Sequence, residues 1–175
     1  MASTRRATFL RSVASLLSVV TPGIAVCACL WLVRDHPRFP WVRDLGRAPW
    51  ELWAALVSGV VGTSAGVVDW VYHRVSGVRV TAEERRIELL GLAGGGLSIF
   101  GLMAAASVSA TPGTYVVPVV AVFLVTASLI VYDEVAFHVD RCTRVDTWIH
   151  RVIVAGNGLA FAAWFHWCFV RGHAS

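Results

Sequence analysis

Eight acidic and histidine side chains of this sequence fall into four pairs with a single spacing. Asp69 precedes His73 by four residues, Glu84 precedes Glu88, Glu134 precedes His138, and Asp146 precedes His150. Residues four apart on a helix lie one above the other on the same face. If four helices turn these rungs inward at one level, three imidazoles and five carboxylates converge. That donor set suits zinc, iron or manganese, in a mono- or dinuclear centre. Helix bundles build carboxylate–histidine dimetal sites from facing helices in the same way. Asp133 and Asp140 add carboxylates that would ligate directly or hold imidazole N–H groups.

The same residues also have structural uses. Thr81-x-x-Glu84 and Thr143-x-x-Asp146 match a helix capping box. An acid and a histidine four apart also make an ordinary surface pair. Capping leaves Glu88 and His150 unaccounted for, each one turn deeper.

For the pairs to meet, helices must end at a common level, and the composition says what those helices are. Hydrophobic residues make up 57% of the chain and charged residues 15%, against about 25% charged in a soluble domain. Apolar blocks cover roughly 12–33, 51–73, 86–107, 115–138 and 147–170. About 20 such residues cross roughly 30 Å of hydrocarbon. The expectation is a single all-α domain, an integral membrane helical bundle of about five transmembrane helices. Arg5, Arg6 and Arg11 precede the first block, but it is too long for a signal-peptide core and reads as a retained helix. It holds no acid and no histidine, as befits an anchor.

Pro37, Pro40 and Pro49 break helix between the first two blocks, where Phe39, Trp41, Trp50 and Trp53 suit a membrane–water interface. Pro112–Gly113 marks an uncharged turn between the third and fourth. The chain has no Lys, so topology rests on Arg. Ten lie in the N-terminal tail and the second and fourth connections, five on the other side. The positive-inside rule then puts the N-terminus in the cytoplasm of an inner membrane, with the four pairs at the cytoplasmic helix ends.

Other features are weaker. The basic residues do not gather with aromatics on one face, so nucleic acid is not an expected partner. Cys27, Cys29, Cys142 and Cys168 form no ligand-spaced set and read as packing residues without disulfides. Gly62/Gly66 and Gly91/Gly95 have the small-xxx-small spacing that lets helices approach. Packing within the bundle is the first use for them, a homo-oligomer interface the second. Asn157 reads as polar glue between helices. His166 lies 16 residues beyond His150, roughly 24 Å along a helix, and belongs to the opposite interface.

The stretch Asp69-Trp70-Val71-Tyr72-His73-Arg74 resembles a DW-x-x-HR signature of small uncharacterised bacterial inner-membrane proteins. Those proteins carry an acidic, His-rich cluster after the signature and another near the C-terminus ending in an acid-x-x-x-His pair. The resemblance implies a membrane-embedded metal site, with Glu84 and Glu88 in the middle cluster. Asp133, Glu134, His138, Asp140, Asp146 and His150 then form the last. Glu88 stands where the pattern looks for histidine, which leaves the metal open.

Four functions fit these features. The first is a membrane metalloenzyme, an oxidoreductase or hydrolase using a divalent metal on a lipidic or membrane-proximal substrate. The second is a metal-ion or proton transport protein, although the outer halves of the blocks offer little polar trail. The third is a haem-binding electron carrier, which the surplus of carboxylates disfavours. The fourth is a non-catalytic accessory subunit. In all four the lipid bilayer is the partner.

Overall fold

Pro49 closes the loop after the first apolar block, and its carbonyl accepts from Leu52 N–H at 3.0 Å as the chain turns helical. A computed structural model of the chain describes residues 2–76, 83, 86, 87, 90–138 and 143–171. Among them are five helices and no strand. These are α1 (Ala2–Leu32), α2 (Trp50–Ser76), α3 (Leu97–Val108), α4 (Val116–Asp133) and α5 (Arg144–Phe165). Three π-helical turns adjoin them: Leu90–Gly96 leads into α3, Glu134–His138 extends α4, and His166–Val170 extends α5. The protein is an all-α bundle, as its composition requires.

Among the described residues, three segments are long and apolar enough to cross a membrane: Trp50–Ser76, Pro112–Ala136 and Arg144–Val170. Val19–Leu32 and Gly94–Val108 are shorter apolar helices within the first and third blocks. Large apolar side chains cover the outside, among them Leu56 and Val57 of α2, Leu124 and Val125 of α4, and Leu159 of α5. Such a surface is unfavourable in water and suited to lipid.

The bundle is organised around the seam between antiparallel α2 and α5, the most extensive helix contact. Glycine makes that contact close. A Cβ on Gly156 would lie 2.8 Å from both the Cα of Gly62 and the carbonyl oxygen of Ser58. Backbones therefore touch at the middle of both helices. Gly66 meets Val19 of α1, and Gly95 sits against Thr126 of α4. Three of the four glycines with small-xxx-small spacing are thus used inside the chain. The Asn157 amide donates to its own helix, to the Ile153 carbonyl at 2.9 Å. The expected bond across helices is replaced by this local one, because the carbonyl four residues back is the nearer acceptor.

The loop before α2 corrects a second expectation. Phe39 and Trp41 do not face an interface freely. They are buried against Trp167, with ring centroids 5.5 and 6.3 Å away. Arg38 joins the loop to α3, donating to the Ala106 carbonyl at 3.3 Å and to that of Ser109. These are terminal carbonyls that a helix cannot satisfy itself. Burial lowers the pKa of Arg38 below its ordinary value without bringing it near neutrality. Cys27, Cys29 and Cys168 are free thiols, as expected; Cys142 lies outside the described residues.

Candidate metal centre

Two helices bring the first and last of the four expected pairs together. α2 supplies Asp69 and His73 from its final turns, and α5 supplies Asp146 and His150 from its first. Local sequence fixes where α5 starts. Thr143 is its N-cap, and the hydroxyl accepts from Asp146 N–H at 3.3 Å. The expected capping bond therefore exists, made through the backbone of Asp146. Its carboxylate remains available for the seam. Tyr72 Oη lies 2.7 Å from Thr143 Oγ1, tying the end of α2 to the start of α5.

The four side chains offer ligand atoms that all lie within 4.8 Å of one another. His73 Nε2 is 3.4 Å from Asp69 Oδ1 and 3.6 Å from Asp146 Oδ1. His150 Nε2 is 3.4 Å from Asp69 Oδ1 and 3.9 Å from Asp146 Oδ1. Ligands held about 2.0–2.2 Å from an ion at tetrahedral corners stand about 3.3–3.6 Å apart. Three of the four His–Asp separations fall in or next to that range. Asp146 is 1% exposed and the other three are 19–23% exposed. The cluster is therefore partly sunk between the helices, with Asp146 at its buried side.

Its polar atoms face each other across the seam at 3.4–3.9 Å, at the long end of polar contact. Asp69 Oδ1 and Asp146 Oδ1 are buried and accept no hydrogen bond among the described residues. A buried anionic oxygen held only by such long contacts is under-solvated, which is costly. A divalent cation would remove that cost at both oxygens, and two carboxylates with two neutral imidazoles balance its charge. Iron, zinc and manganese all accept such donors. A tetrahedral N2O2 arrangement is most at home with zinc.

Glu134 approaches the same histidine from outside the group. Its Oε2 is 3.5 Å from His150 Nδ1, whereas Nε2 faces the two aspartates. Ligating histidines commonly pass their second ring nitrogen to a carboxylate, which fixes ring and tautomer. The expected ligand Glu134 is therefore placed where such an orienting partner sits. It belongs to the π-helical turn Glu134–His138, and π turns often mark functional positions. The side chain of His138, and Glu84, Glu88 and Asp140 entirely, lie outside the described residues. The described site draws on α2 and α5, with the π-helical turn after α4 contributing Glu134.

A second ionic group stands at the far end of the same seam. Glu51, 1% exposed, receives Arg171 Nη1 at 2.6 Å and lies 2.9 Å from His166 Nδ1. Trp50 packs on the His166 ring at 5.4 Å. His166 is thus a partner of Glu51 and more than an aromatic-belt residue. No spacing rule could have found a pair 115 residues apart. The one available signal was a lone acid at the start of an apolar block.

Comparison with known protein families, curated proteins and solved structures finds no match to this chain. The site itself carries the functional argument.

Proposed function

We propose that the protein is a membrane metalloprotein whose divalent ion is held by Asp69, His73, Asp146 and His150. In its more specific form it is a metalloenzyme, a hydrolase or oxidoreductase acting on a lipidic or membrane-proximal substrate. One observation carries the reading. Four ligand atoms from two antiparallel helices lie within 4.8 Å of one another, and two buried carboxylate oxygens among them lack hydrogen bonds. The metal, when bound, would supply Lewis acidity. The chain's own part is to hold four donors in place, to orient His150 through Glu134, and to restrict water. The resemblance at Asp69–Arg74 points the same way, and the Arg distribution favours an inner-membrane centre on the cytoplasmic side.

Transport of the metal ion is the second reading, and one feature favours it over catalysis. A catalytic zinc normally keeps one position open, whereas four protein ligands complete a tetrahedron, which weighs against catalysis and equally fits a structural ion. Against transport, the seam beyond the centre closes where Gly62 and Gly156 touch.

Elemental analysis of the detergent-purified protein tests the shared premise. About one equivalent of iron, zinc or manganese is expected, lost in His73→Ala and in His150→Ala. Protein that stays metal-free after incubation with each ion overturns the proposal. Ion uptake into sealed proteoliposomes then separates the two readings, since an enzyme moves no metal across the bilayer.

A further inference from the structure

On the outside of the same helix pair, side chains of α2 and α5 border a shallow, open cleft of about 410 Å³. Its floor is Ala65 and Val68 of α2 with Ile149 and Val152 of α5, and its upper rim is Arg144 and Trp148. The lining is apolar throughout, so Arg144 contributes its methylene stem and keeps its guanidinium at the rim. From Arg144 to Val152 is eight residues, a descent of about 12 Å along the helix. The cleft thus runs along the helix, charged at the end and apolar below.

Among the described residues, the charges of α5 beside the rim are basic. The acids of these turns, Asp69 and Asp146, point into the seam. The arginines point out. Arg144 makes no ion pair among the described residues, and Arg151 lies over the Trp148 ring at 5.6 Å. Trp148 is 64% exposed, where an indole at the headgroup level is favourable. A guanidinium pairs with a phosphate through two parallel donors, and an acyl chain needs only an apolar slot beneath it. A soluble peptide or metabolite would find no hydrogen-bond partner in this lining.

We propose that this cleft is a binding site for an anionic phospholipid, its phosphate at Arg144 and one acyl chain between α2 and α5. The site stands apart from the metal centre, with its floor residues Val68 and Ile149 each directly preceding a proposed ligand. Bound lipid would therefore brace the backs of the two turns that carry Asp69 and His150.

Native mass spectrometry tests this on full-length protein exchanged into equal amounts of phosphatidylglycerol and phosphatidylcholine, with metal content measured on the same samples. Wild type should retain phosphatidylglycerol several-fold over phosphatidylcholine. Arg144→Gln should cut that ratio about fivefold, the weight of one interfacial arginine. Ala65→Phe, which fills the floor, should reduce retention of both lipids. Equal retention by wild type overturns the proposal. So does a preference unchanged in Arg144→Gln, or lipid retention that Ala65→Phe leaves intact, which would mean surface attraction without a cleft. Metal content distinguishes failure here from failure of the metal reading, because neither variant touches a ligand.

Discussion

His150 Nε2 and His73 Nε2 each stand 3.4 Å from the same oxygen, Oδ1 of Asp69. One carboxylate thus faces both imidazoles across the seam, and a bound cation would share all three. Removing Asp69 should therefore cost more than removing either histidine. We expect Asp69→Asn to abolish tight metal binding while leaving the helical signal in circular dichroism unchanged. Metal retained at wild-type stoichiometry in Asp69→Asn would exclude the ligand set.

Glu134 should behave differently from the four ligands. Partners that orient a ligating histidine typically change metal affinity about 10–100-fold when removed. Glu134→Gln should weaken binding within that range and keep stoichiometry at high metal. Glu134→Asp should recover part of the affinity. Complete loss of metal in Glu134→Gln would instead make it a ligand.

Acid should release the ion. Aspartate and histidine bind metal only when deprotonated, so protons compete with the cation. Affinity should fall as pH drops and rise toward neutrality. Isothermal titration at a series of pH values checks the sign, and proton release on binding should accompany it.

The contact between Gly62 and Gly156 leaves no room for a side chain. Gly156→Ala would put a methyl 2.8 Å from backbone of α2, so the helices must separate. We expect a lower Tm and weakened metal binding together. Gly158→Ala, with nothing within 4 Å of its Cβ, should leave both unchanged. A Gly156→Ala protein with wild-type Tm would show that the seam is looser than described.

Breaking the Glu51 group should destabilise the fold without touching the metal. Removing one partner of a fully buried ion pair costs about 3–5 kcal/mol, and Arg171 is 47% exposed, so the loss should be smaller. Glu51→Gln should lower Tm with metal stoichiometry retained, as should His166→Ala. Loss of metal in either variant would contradict the separation of the two ends.

The helices and half the site could be read from local pattern alone. Apolar block length located α2 and α5 to within a few residues of their ends, and spacing of four gave Asp69/His73 and Asp146/His150. Each of those pairs sits on one helix, so periodicity is enough to see it. What periodicity cannot show is which pairs face each other. Glu134 meets His150 through a change from α to π winding, and that shift in register has no simple sequence mark. Glu51 and His166 meet because two helices run antiparallel, and the burial of Phe39 and Trp41 follows from the same long-range packing.

The touching glycines at mid-seam pin α2 and α5 together. Asp69 and Asp146 are near one set of tips, Glu51 and Arg171 near the other, about 27 Å apart by helix rise. The backbones that touch between them close the seam at its waist. The two charged groups therefore stand as separate ends of one helix pair, and each can be altered without the other.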